Sequence, residues 1–409
     1  MRSVRRIHYA WLILVMGTLA VFGALGLARF GYSVVLPAMQ EGLGLNNTEA
    51  GALATANLLG YLALSAIGGA LAAQFGPRTT ISWGLVVCGV GMLLTATAQN
   101  AFTAALWRAL TGVGSGAANV GVMGMISGWF GRRRRGLATG IGVSGSSIGL
   151  VFVGPLVPRI LEIFPETGWR MTWLFFGGIA LLLAVGSSLI LRDRPSEMGL
   201  EPLGRGEDER SVPRQTNKGL EWGRVYCSWP VWQLGLIYVA FGASYIIYMT
   251  FFAKHLMIAG GYSREQAGSL FSVVGFASLF CGSVWGALSD RIGRRWALFG
   301  VYLIQALAYA LFALWAVPMG FTLSAIFYGL TAWSIPAIMA AACGDLLGSE
   351  LAPAALGFIT LFFGIGQAAA PSVAGAMADA TGSFTGALLL AMGLALLGAL
   401  GSLTIRKAD

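Results

Sequence analysis

Gly286-Ala287-Leu288-Ser289-Asp290-Arg291-Ile292-Gly293-Arg294-Arg295 joins two long apolar runs, and a degenerate copy stands 217 residues earlier, from Gly69 to Arg78. The copy keeps the glycines and Arg78 but has Ala73 and Gln74 where an acid and an arginine would stand. The same offset continues outside the loop. Ala50-Gly51-x-Leu53 matches Ala267-Gly268-x-Leu270, Gly76 matches Gly293, Arg78 matches Arg295, and Gly140 and Gly149 recur as Gly357 and Gly366. One offset holding over separate segments marks an internal duplication, not coincidence among the 59 glycines.

What is duplicated follows from composition. The 409 residues are 56% hydrophobic and 11% charged, with mean hydropathy +0.74, whereas soluble domains carry about 25% charged residues. Twelve apolar segments can be marked, at 9–38, 49–73, 80–98, 103–129, 136–160, 169–191, 229–253, 266–288, 296–316, 319–345, 355–378 and 384–404. Each is long enough to cross a bilayer at roughly 20 residues per span. The fold class expected is an all-α membrane protein: twelve transmembrane helices in two pseudo-symmetric six-helix bundles, 1–192 and 225–409, joined by a linker at 193–224. Arg2, Arg5 and Arg6 precede an apolar run with no small-residue cleavage pattern, so the first segment is read as a retained helix.

A net charge of +9 invites a nucleic-acid reading, but the basic residues do not gather into a patch. Twenty of the 26 Lys and Arg fall on one side of the twelve-span topology, the side bearing both termini. The positive-inside rule makes that side cytoplasmic, and the location expected is that of a multi-pass protein of a bacterial inner (plasma) membrane. Cys88, Cys227, Cys281 and Cys343 contain no C-x-x-C pair, so neither a disulfide framework nor a metal site is indicated. Gly140-Ile141-Gly142-Val143-Ser144-Gly145 satisfies GxGxxG but lies within a span with no preceding strand, so no dinucleotide cofactor is expected.

The loop at 286–295 resembles the signature loop of the major facilitator superfamily, and Arg108-Ala109-Leu110-Thr111-Gly112-Val113-Gly114 resembles its Arg-x-x-x-Gly-x-Gly element. Arg192-Asp193-Arg194-Pro195-Ser196-Glu197-Met198-Gly199 is similar to the segment after the sixth helix in monocarboxylate and oxalate/formate transporter-like members. The resemblance covers nearly the whole chain and implies a secondary transporter whose site lies between the halves near the midplane. It also implies that Arg78, Asp290, Arg291, Arg294 and Arg295 belong to a cytoplasmic gate, with Asp290 meeting the helix start at Gly136 or the Arg132 to Arg135 run. Those relatives place basic residues in spans 8 or 11, where Phe271 to Leu288 and Leu356 to Ala378 have none.

Arg29 lies about twenty residues into the first span, with Tyr32 one turn on. Arginine at that depth costs ~2.5 to 3.5 kcal/mol on insertion scales, so it should face a cavity, an anion or backbone carbonyls in preference to lipid. Arg108, Ser115 and Asn119 form a polar stripe on one face of span 4; Arg108 either belongs to that stripe or reaches back to the membrane surface. Tyr245 and Tyr248 in span 7, Tyr328 and Trp333 in span 10 and Gln367 in span 11 are candidates for the facing wall. None of the 17 acidic residues sits in mid-span, which disfavours a cation exchanger. The function expected is alternating-access transport of a small organic anion, a monocarboxylate first, with a proton carried on the substrate or by anion exchange. The partners are that substrate, the bilayer and protons, with no nucleic acid, and the chain is read as a monomer. Efflux of a neutral or amphipathic metabolite or drug is the alternative. An enzyme would need clustered His, Asp, Glu or Cys near a membrane face, and the sequence shows none.

Overall fold

A computed structural model describes residues 8–204 and 225–405; Arg2, Arg5, Arg6, Arg406, Lys407 and the linker beyond residue 204 lie outside the described residues. Eleven of its helices are long and apolar enough to cross a membrane: α1 (Ala10–Leu43), α3 (Pro77–Ala96), α4 (Ala101–Trp129), α5 (Arg133–Ile163), α6 (Gly168–Ile190), α7 (Trp229–Gly260), α8 (Arg264–Ile292), α9 (Arg294–Leu314), α10 (Pro318–Leu347), α11 (Ala354–Thr381) and α12 (Thr385–Ser402). The twelfth, α2 (Asn47–Phe75), bends by 49° between its Asn47–Ser65 and Ile67–Phe75 parts. The expected twelve-helix architecture is the one observed.

The duplication reads directly from backbone geometry. Gly76 and Gly293 turn the chain with φ of +85° and +89°, a region only glycine enters freely, and Gly44 and Gly261 end α1 and α7 at +64° and +66°. Asn46 and Ser263, again 217 apart, cap α2 and α8 through their side chains. The helix contacts repeat as well. A Cβ on Gly149 would lie 2.3 Å from the Gly26 Cα, and one on Gly366 would lie 3.0 Å from the Ala243 nitrogen. The interface between the halves obeys the same rule: Gly154 packs on the Gly268 carbonyl and Gly51 on the Pro371 carbonyl, so α5 against α8 mirrors α2 against α11. Close approach of this kind is what associates helices in lipid, where apolar burial drives nothing.

Three further helices are irregular along their length. Phe22–Phe30 of α1 is a π-helix, α8 breaks at Leu279 and Phe280, and α10 breaks between Gly329 and Ser334. The Trp333 N–H donates to the Cys281 Sγ at 3.3 Å, joining the last two breaks. Irregular backbone at membrane depth is tolerated where protein or a cavity satisfies it, and π segments often mark function.

Candidate functional site

Arg29 lies in the π segment of α1 and faces α2. Its guanidinium carbon lies 4.1 Å from the centroid of the Tyr61 ring on α2, and its Nε and Nη2 are buried without a hydrogen-bond partner. Arg29, Phe30, Tyr32, Ser33, Ala54, Asn57, Leu58 and Arg108 line one side of a small cavity, and Ile246, Met249 and Thr250 line the other. Its volume is about 20 Å³, enough for one water, so a larger occupant requires the halves to part.

Arg108 lies here and not at the membrane surface. It is 1% exposed, donates from Nη1 to the Ala28 carbonyl at 2.6 Å, and lies 4.7 Å from the Tyr32 ring and 4.9 Å from that of Trp173. Its Nε is buried and unpartnered. The stripe expected on α4 exists, and its members are spoken for differently. Ser115 donates to the Gly112 carbonyl within its own helix, whereas Asn119 donates to the Tyr61 hydroxyl at 2.9 Å and so steadies the ring under Arg29. Asn57 donates to the Arg108 carbonyl at 3.0 Å, leaving its Oδ1 unpartnered, as is the Ser33 hydroxyl. Tyr32 has spent its hydroxyl on the Ala50 carbonyl at 2.7 Å.

The C-terminal half supplies aromatic surface. Tyr245 sits beside Arg29 and accepts a hydrogen bond from Gln367, and its ring stacks with Phe241 and Phe363. Trp333 packs 5.3 Å from Phe30 and donates to Ser147 at 2.9 Å across the interface. Tyr248 and Tyr328 are set apart from this group: they pack with Tyr309 inside the C-terminal half, and Tyr248 shares a hydrogen bond with Ser324. Tyr61 and Asn57 were not singled out from sequence, since nothing in the sequence distinguishes them from other polar residues of an apolar helix. None of the residues lining the cavity is Asp, Glu or His, and among the described residues no cluster of three His, Cys, Asp or Glu could hold a metal.

Charged residues pair differently on the two faces. On the face opposite the termini, Asp379 of α11 accepts from the Asn47 and Thr48 N–H groups at 2.9 and 2.8 Å, capping the start of α2 from the other half. Lys254 donates to Gln40 and Asn47, and Arg264 pairs with Glu41 at 3.2 Å. On the termini face the ion pairs among the described residues stay within one half. Asp290 is 64% exposed and meets Arg294 at 2.5 Å, and Arg294 also meets Asp345 at 2.8 Å. Arg291 is exposed, and Arg295 lies against Trp296. Among the described residues the expected contact of Asp290 with Gly136 or the arginine run before it is not made, and Asp290 meets Arg294 instead; the Arg132 side chain lies outside the described residues. In the degenerate copy, Asp193 takes over: it accepts from the Arg78 N–H at 2.7 Å, while the Arg78 Nε donates to the Ser188 carbonyl at 2.8 Å.

Residues 21–403 match the family described as "Uncharacterised MFS-type transporter YbfB". The chain belongs to this major facilitator family. It is a multi-pass membrane transporter, not an enzyme. It is 26% identical to the "Probable sulfoacetate transporter SauU" of Cupriavidus necator, over 92% of this chain and 89% of that protein. It is 26% identical to the hexuronate transporter of Bacillus subtilis, over 91% and 89% of the two chains, and 25% identical to human monocarboxylate transporter 2, over 76% and 67%. Among solved structures, a bacterial homolog of the human lysosomal transporter Spinster superposes with a TM-score of 0.76 at 17% identity, covering 98% of both chains. That likeness confirms the fold.

Proposed function

We propose that this transporter moves a small organic anion through the cavity at Arg29, its carboxylate seated on the guanidinium Nε and Nη2. The observation that carries the reading is those two buried, unpartnered donors on a wall without an acid. A planar guanidinium offers a carboxylate two parallel bonds, and the missing acid disfavours a cation. The anions named for the relatives from Cupriavidus, Bacillus and human agree with this class; a monocarboxylate is the minimal member. Alternating access opens the cavity to each face in turn, with both termini cytoplasmic in a bacterial inner membrane. With no acid lining the cavity, a proton that moves travels on the substrate, or exchange of a second anion balances charge; the chain works as a monomer. The stacked rings of Tyr238, Phe241, Tyr245 and Phe363 favour a second reading, efflux of a neutral or amphipathic compound. A thermal-shift screen of purified protein against organic anions, sugars and cationic drugs separates the two. Stabilisation by anions, followed by their uptake into proteoliposomes, supports the first reading; stabilisation by neutral or cationic compounds alone overturns it.

A further inference from the structure

Arg108 is a second cation on the same wall, and a single carboxylate on Arg29 leaves it unanswered. We propose that the site selects anions carrying two negative groups, one held by Arg29 and the other by Arg108, and that Arg108 determines this preference. The inference rests on the anion reading above. Arg108 is 1% exposed and clamped: Tyr32 and Trp173 flank its guanidinium, and Nη1 is committed to the carbonyl of Ala28, the residue beside Arg29. That anchorage fixes one edge of the fork and leaves Nε buried with no partner. Arg29 and Arg108 each bring a guanidinium cation. The cavity they line therefore holds two positive charges with no acid to offset them, and a monoanion compensates one.

The remaining orphans refine the class. Ser33 Oγ and Asn57 Oδ1 line the same cavity and have no partner. A hydroxyl on the chain between two anionic groups would satisfy both, the first as donor and the second as acceptor. The ligand class is thus a short dianion, and a hydroxylated one fits the inventory most completely. On the facing wall Ile246 and Met249 offer no polar atom and Thr250 a single hydroxyl, so the second group's partner must come from the N-terminal half.

Matched probes test this without any mutation. Binding of succinate and malonate is compared with that of their monomethyl esters at about pH 8, where every carboxyl group is ionised. Wild-type protein should hold the dianions roughly 10- to 100-fold more tightly, the range for a hydrogen bond to a charged group. In Arg108→Gln the dianion should fall to the level of its half-ester, whose own affinity moves little, and Arg108→Lys should recover part of the preference. A purely structural role would lower both affinities together. Half-esters binding wild type as tightly as their parents would overturn the proposal, as would a folded Arg108→Gln protein that kept the preference. Should Arg108→Gln fail to fold, the wild-type pairs decide alone. If Arg29→Ala left every anion bound as before, whatever its valence, the anion reading itself would fall.

Discussion

Arg29, Tyr32 and Ser33 of α1 line one side of the central cavity, and Ile246, Met249 and Thr250, their counterparts 217 residues later on α7, line the other. The remaining polar members follow suit: Asn57 corresponds to Val274 and Arg108 to Ala325, both buried in the C-terminal half. The glycine contacts, positive-φ turns and caps survive in both copies, because each half must still pack six helices in the same way. Charge survives in one. Helix packing is thus a property of the repeat, whereas the recognition proposed above rests on the half that carries two arginines, each costing ~2.5 to 3.5 kcal/mol to insert.

The contrast can be broken most severely from the apolar side. Ile246→Glu places a carboxylate across the cavity from Arg29, where it pairs with the guanidinium in the substrate's stead. Anion uptake into proteoliposomes should drop by about 100-fold or more, with the protein still monodisperse; uptake within twofold of wild type would show that uncompensated charge is not what binds. Arg29→Lys is milder. It keeps the charge and loses the fork, so affinity for an anion should weaken about tenfold, and equal affinity would mean that a point charge suffices.

The two faces form a second contrast, with smaller effects. Asp379→Asn removes the charge that caps α2 from the other half, so distances between spin labels on α2 and α11 at that face should shift toward the open population. An unchanged distribution would make the cap incidental. Asp290→Asn should do least to the state seen here. An exposed pair contributes ~0 to 1 kcal/mol, so the unfolding temperature should move by less than about 4 °C. Its effect should instead appear as added population of this state, since Asp290 is expected to support the one closed on the termini face.

Most of the fold was legible because its determinants are periodic and local: apolar spans, paired glycines, and the loops at Gly76 and Gly293. The place of Arg29 on the cavity wall was legible because an arginine that deep has few alternatives to facing a cavity or the protein interior. Arg108 was ambiguous, since one turn from a helix end allows both a surface reach and burial, and only the packing of Tyr32 and Trp173 around it decides. Tyr248 and Tyr328 pack with Tyr309 away from the cavity lining, a placement the sequence does not show because a shared helix face does not say which neighbour that face meets. The pairings of Lys254 and Asp379 were not legible for the reverse reason: charges near helix ends look interfacial, and their partners require knowing which ends meet across the halves. Asp290 shows the remaining limit, because a sequence does not say which conformational state its partner in this structure, Arg294, belongs to.

The central claim, that Arg29 holds the anionic group of the substrate, is tested most directly by calorimetric titration of folded Arg29→Ala protein with an anion shown to bind wild type. Loss of measurable binding, with an unfolding temperature near that of wild type, is the result expected. An unchanged dissociation constant would contradict the claim and move recognition to the aromatic wall around Tyr245 and Trp333.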